Sequence, residues 1–213
     1  MKKITRRRLI MGSTLLVAAG AGVAYGLTPR PTAAAKTEET CEPDGADRPI
    51  LVAYASPCGS TAEIALDVAQ VLCDRGLATD VRPARSVKSL DGYRGVVLGS
   101  AIRMGQPARD ATQFVERHAQ VLATLPNAIF AVGMTLHVDT PQAREEMRRY
   151  AVPLAVATNP LSTGLFAGVF DPNTVEPIMR ALTSAAPQAA MTPGDFRDWD
   201  AIRTWAADLA NLL

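Results

Sequence analysis

Histidine, cysteine and aromatic residues are scarce in this sequence, and acidic residues are missing from its first 35 positions. The 213 residues include only two histidines and three cysteines. Neither His118 nor His137 has a Cys, His or carboxylate at ligand spacing, which argues against a metal centre. Aromatic residues make up 5% of a chain that is 48% hydrophobic and 20% charged, the profile of one ordinary globular domain with a short extra segment. Residues 1–35 carry six basic side chains and no acidic one. Taking those six from the 22 Lys and Arg of the chain leaves 16 against 21 Asp and Glu, a net of −5. A mildly acidic body without a basic stripe excludes nucleic acid as the partner.

What stands at the start is a signal pattern. Lys2, Lys3, Arg6, Arg7 and Arg8 precede 19 uncharged residues, Leu9 to Leu27, and the small triplet Ala33-Ala34-Ala35 follows. This is the layout of a targeting segment. Thr5-Arg6-Arg7-Arg8-Leu9-Ile10 resembles the twin-arginine export motif, so residues 1–35 are expected to direct export of the folded protein through the twin-arginine machinery. Cleavage after Ala35 is the preferred outcome. The alternative is an uncleaved anchor in contact with the membrane, because the apolar run is nearly long enough to span a bilayer core. Gly20 to Gly26 imitates a dinucleotide-binding glycine motif, but its spacing is one residue too long and no strand precedes it.

Residues 36–49 are polar and contain Pro43, Gly45 and Pro49, so they are expected to form a linker. The domain then runs from 50 to 213. Ile50 to Ala55 is a short apolar run suited to a buried strand. From Thr61 the spacing of Ile64, Ala65, Val68, Ala69 and Leu72 predicts an amphipathic helix closed by Gly76. Further strands are expected at Thr79–Pro83, Gly95–Ser100, Ala128–Met134 and Leu161–Ala167. Helices are expected at Ala108–Leu125, from about Pro141 with Pro153 bending or ending it, at Thr174–Ser184 and at Trp199–Leu212. In the last of these, Trp199, Ile202, Trp205, Leu209 and Leu212 form a core stripe with Asp198 as its cap. His118 is expected on the polar side of its helix. Alternating strands and helices predict an α/β fold, a three-layer doubly wound domain on a five-stranded parallel sheet. Ligands of such sheets sit beyond the strands' carboxyl ends, which directs attention to the loops after Ala55, Ser100 and Met134.

The first of those loops, Ser56-Pro57-Cys58-Gly59-Ser60-Thr61, leads into a helix N-terminus. Free amides, the helix dipole and three hydroxyls suit a phosphate there, while the plainer reading is a helix cap on Ser60. Several chemistries lack a required residue. No Lys follows the glycine, so this is not a nucleotide-triphosphatase loop. Position 64 is Ile64, where a cysteine phosphatase or arsenate reductase needs an arginine. The strand Gly95–Ser100 ends in Gly99-Ser100, with no aspartate to accept a phosphoryl group.

Four stretches carry a resemblance: the turn Ser56–Thr61, "VVLGSAIRMGQPARDATQFVERH" from Val96 to His118, "PLSTGLFAGVFD" from Pro160 to Asp171, and "GDFRDWDAIRTWA" from Gly194 to Ala206. Through them the chain from Ile50 onward resembles the flavodoxin superfamily, and within it the menaquinone-dependent protoporphyrinogen IX dehydrogenase family. The resemblance implies a flavodoxin-like strand order 2-1-3-4-5 and a bound flavin mononucleotide (FMN). It puts the phosphate in the turn of Ser56, Pro57, Cys58, Gly59, Ser60 and Thr61. It puts the ring between Ser100, Ala101, Ile102, Arg103, Met104 and Gly105 on one side and Thr135 and Leu136 on the other. It names no catalytic residue, since the cofactor carries the chemistry. The implied activity is an oxidoreductase passing electrons to a quinone, with a porphyrinogen or another small molecule as substrate. An electron carrier that serves a protein redox partner, and a flavin-free binding domain, are the alternatives. Cys58 stands where flavodoxins usually place a threonine, and Met104 where an aromatic is expected. Arg103 is expected either to face a substrate carboxylate or to pair with Asp110.

Cys58 and Cys73 lie at opposite ends of one predicted helix and cannot bridge. Cys41 is expected to pair with Cys73 in an oxidising compartment, the alternative being three thiols.

Overall fold

The computed structural model describes residues 38–171 and 192–213. The expected signal and the expected helix Thr174–Ser184 lie outside the described residues. The elements are β1 (Glu39–Cys41), β2 (Ile50–Ala55), α1 (Ser60–Asp74), β3 (Thr79–Pro83), β4 (Gly95–Arg103), β5 (Gln106–Pro107), α2 (Arg109–Leu122), β6 (Asn127–Val132), α3 (Pro141–Thr158), β7 (Thr163–Phe166), β8 (Val169–Phe170), β9 (Gly194–Asp195) and α4 (Trp199–Leu209).

The central sheet runs β1-β3-β2-β4-β6-β7, and β5 adds to β4. Its five parallel strands, taken in chain order, have the expected 2-1-3-4-5 arrangement. Ile50 pairs with Thr79 on one side and Gly95 on the other, Val96 with Asn127, and Ile129 with Thr163. Strand alternation builds two cores. Val52, Tyr54, Val97 and Phe130 face α1 and α4, where Ile64, Val68, Leu72, Ile202 and Leu209 are buried. Leu51, Ala53, Leu98 and Ile129 face the other way, onto Phe114 and Leu122 of α2 and Leu154 of α3. Gly99 is required at its position, because a Cβ there would lie 2.2 Å from the Phe130 ring.

The structure corrects two expectations and narrows a third. The linker contains a strand: β1 pairs antiparallel with β3, Cys41 opposite Thr79. Cys41 and Cys73 form a disulfide across a Cα–Cα distance of 6.2 Å, joining β1 to the end of α1, in line with the pairing expected. Of the two effects expected of Pro153, bending or ending the helix, ending is ruled out, because α3 continues to Thr158. Proline's missing N–H frees one carbonyl a turn back, and here Pro153 is on the solvent side, where water can satisfy it. His118 is buried, contrary to the polar-side reading, because it shares a face of α2 with Phe114 and Leu122. Its ring lies 4.8 Å from that of Phe114, and burial holds its pKa below the ordinary imidazole value. Asp198 caps α4 as expected, accepting the Ala201 N–H at 2.9 Å. Trp205 packs against Phe130 and Phe166 and donates to Ser162 Oγ at 2.9 Å, a structural role.

Candidate functional site

The loop after β2 is built around a left-handed residue. Gly59 has φ 100° and is the N-cap of α1, so the cap is Gly59 and not Ser60. Ser56 Oγ accepts the Gly59 N–H at 3.0 Å and closes the turn. The amides of Ala62 and Glu63 return to the Gly59 carbonyl at 2.8 and 3.2 Å. The two amides that open the helix, Ser60 and Thr61, have no main-chain acceptor among the described residues. Thr61 is 1% exposed, and its Oγ1 has no hydrogen-bond partner among the described residues. A buried hydroxyl of this kind is uncommon and calls for a ligand or water to satisfy it. Cys58 is exposed and lies outside the disulfide.

The second loop is a hairpin. β4 continues past Ser100 to Arg103, turns at Met104 and Gly105, and returns as β5, with Ile102 opposite Pro107 and Arg103 opposite Gln106. Met104 and Gly105 have φ 50° and 74°. Two positive φ values in a two-residue loop are the signature of a type I′ turn. Met104 is 74% exposed at the tip. The hairpin rests on α3, since a Cβ on Gly105 would lie 2.9 Å from the Tyr150 ring. Ser100 is fully buried, and its hydroxyl accepts the Ala108 N–H at 3.1 Å, so it anchors the start of α2. Arg85 Nη1 lies 3.8 Å from Asp110 Oδ2.

The third loop, Met134–His137, is a 3-10 turn. Leu136 is buried against Met147 and Ala151 and supports this wall from behind, while Thr135 is half-buried. A Cβ on Gly133 would come within 3.0 Å of Met147 and 3.2 Å of Ile102, so the hairpin and the 3-10 turn close on one point.

Two contributors were not among the expected site residues. Gly168 bridges the loops: a Cβ there would lie 3.1 Å from Val132, 3.3 Å from Ser60 Oγ and 4.0 Å from Met134. The phosphate turn and the third loop therefore meet at its backbone. The strand pair β8–β9 then sets Phe196, whose N–H donates to the Gly168 carbonyl at 3.1 Å and whose ring stands edge-on to His137. Arg197 clasps this segment to α1, donating to Glu63 at 2.5 Å and to Asp195 at 2.6 Å. Its guanidinium lies 4.5 Å over the Trp199 ring and holds the Asp195 carboxyl below its usual range. The recurring Asp and Arg in "GDFRDWDAIR" were the available signal for this clasp.

The flavodoxin domain model matches residues 51–182, well over half of the chain. A protoporphyrinogen IX dehydrogenase [quinone] from Leishmania major is 27% identical over 178 residues, 76% of this chain and 74% of that protein. One from Escherichia coli K12 is 29% identical over 105 residues, 47% of this chain, and the match spans 58% of that relative's length. Among solved structures, a mutant flavodoxin from Pseudomonas aeruginosa superposes with a TM-score of 0.46 at 17% identity, over 77% of this chain and 97% of that one. The phosphate-type turn, the sheet order and the extent of the model match agree, and the chain belongs to the flavodoxin domain family, whose cofactor is FMN.

Proposed function

We propose that this chain is an exported, FMN-dependent oxidoreductase that takes electrons from a small reduced substrate and passes them to a quinone, a porphyrinogen being the first substrate to test. The observation that carries the flavin reading is the turn Ser56–Thr61. It offers two helix-opening amides and an orphaned buried hydroxyl in neighbouring residues, an uncharged donor set for which the amides find no main-chain acceptor and the hydroxyl no partner among the described residues. That set fits a phosphate dianion. The amides of Ser60 and Thr61 and the Thr61 hydroxyl would hold the phosphate. Ile102, Arg103 and Met104 of the hairpin would face one side of the ring and Thr135 the other, with Gly168 leaving room between turn and wall. Once bound, FMN supplies the electron transfer between substrate and acceptor. The chain's own part is to anchor the phosphate, align the ring between two loops and leave its edge open at the exposed Met104.

The substrate and acceptor come from the relatives, two of which are named for protoporphyrinogen IX and a quinone. Export rests on the pattern of residues 1–35, and the Cys41–Cys73 disulfide supports it, because such bonds persist where the surroundings are oxidising.

The test is a visible absorption titration of the purified chain with FMN and with riboflavin. Bound FMN that bleaches reversibly on reduction, with riboflavin bound far more weakly, is expected. A chain that ignores excess FMN would overturn the redox reading. Flavin-loaded protein should then oxidise a porphyrinogen with quinone as acceptor, and turnover of neither would leave an electron carrier.

A further inference from the structure

We propose that Cys58 is a thiol-modification site whose modification and FMN binding exclude one another, so that a low-molecular-weight disulfide blocks flavin loading of a chain that has no flavin bound. The inference rests on the flavin reading above. Of the three cysteines, Cys41 and Cys73 are joined to each other at the far end of α1, which leaves Cys58 outside the disulfide and exposed. It sits within the anion-binding turn, between Ser56, whose hydroxyl closes the turn, and the left-handed Gly59. The orphaned Thr61 hydroxyl, 1% exposed, independently marks the same turn as a place for a ligand. The Cys58 side chain is exposed to solvent, and next to it a Cβ on Gly59 would meet nothing within 4 Å, so the turn is open on that side.

The reaction needs a co-reactant of one class, a small disulfide. The Cys58 thiolate attacks one sulfur of that disulfide, a new S–S bond forms as the old one breaks, and the other half leaves as a thiolate that takes up the proton. One disulfide is consumed and one is formed, with no further oxidant. An acidic adduct would fill the mouth of the turn and place negative charge where the phosphate must come, so both sterics and repulsion oppose FMN.

The experiment uses the full chain as isolated and dithionitrobenzoate as the disulfide probe, after FMN affinity has been measured on unmodified protein. One thiol per chain should react, on the peptide that carries Cys58. FMN at about a hundredfold above its Kd should slow that reaction about tenfold or more. The adduct should bind FMN about tenfold or more weakly, through repulsion alone, and mercaptoethanol should restore binding while the Cys41–Cys73 peptides stay joined. Cys58→Ser should release no chromophore, and its FMN affinity, whatever its value, should be indifferent to the reagent. Equal reaction rates with and without FMN, or an adduct that binds FMN undiminished, would overturn the inference and leave the flavin reading standing. Absence of FMN binding before any modification would remove the flavin reading, and this inference with it.

Discussion

Thr61 gives the sharpest test of the phosphate site because its hydroxyl has opposite consequences with and without ligand. Buried and unpartnered, it costs the flavin-free protein about 1–3 kcal/mol of desolvation. Valine has nearly the same shape without the oxygen. Thr61→Val is therefore expected to raise flavin-free stability by up to about 1 kcal/mol while weakening FMN about tenfold, the worth of a hydrogen bond to a charged group. Urea unfolding without flavin and an FMN titration read the two effects separately. A variant that loses stability and keeps its affinity would show that the hydroxyl serves the turn and not a ligand. Met104 shows another kind of local cost. Among the described residues, only Met104 and Asn159 are left-handed without being glycine. Asn159 ends α3, where asparagine is at home, whereas Met104 is held at about 1–3 kcal/mol at the tip of the β4–β5 hairpin. Backbone strain of this sort gathers at ligand clamps.

At the level of elements, β1 has no apolar side chain to recommend it, and the disulfide supplies what its sequence lacks. Glu39-Thr40-Cys41 is largely exposed and, among the described residues, pairs only with β3. Cross-linking positions 32 residues apart removes entropy from the unfolded chain, which is worth roughly 3–4 kcal/mol. Reduction, or Cys73→Ala, should lower the urea midpoint by an amount equivalent to about 2–4 kcal/mol, and β1 amides should exchange quickly once the bond is gone. An unchanged midpoint would mean that the unfolded chain does not feel the link. The same comparison explains what could be read from the sequence. The five parallel strands and α1 were legible because continuous apolar runs and a 3.6-residue stripe are set by burial on both faces of the sheet. The positions of the three candidate loops followed from the ends of those strands. β1 was not legible, since an edge strand buries little. The hairpin at Met104 and the Arg197 clasp were hidden for a different reason: each depends on a partner distant in sequence, Tyr150 for the one and Glu63 for the other. The structural part that Ser100 plays was not legible, because a hydroxyl at a strand end looks the same in sequence whether or not it accepts the Ala108 amide.

For the whole molecule, three proposals constrain one another. A twin-arginine-like signal moves folded proteins, FMN is the cofactor of this domain, and the Cys41–Cys73 bond belongs to an oxidising space. The order of events that reconciles them is folding and flavin capture first, transport second, disulfide closure last. Closure is compatible with that order because the bond joins β1 to the end of α1, while the loops proposed to hold the flavin lie beyond the carboxyl ends of the parallel strands. Bound FMN at about a hundredfold above its Kd would stabilise the folded chain by about 2.7 kcal/mol, comparable to what the disulfide adds later. Flavin can thus hold the fold until oxidation takes over part of that role. Replacing Arg6 and Arg7 with lysine keeps the positive charge and removes the paired guanidinium groups. The altered chain should stay inside the cell with Cys41 and Cys73 reduced, yet still carry FMN. Thiol trapping in intact cells, followed by the flavin spectrum of the purified chain, reads both quantities. A retained chain with its disulfide formed would place oxidation before transport and reverse the order. A retained chain without flavin would show that FMN is acquired only outside.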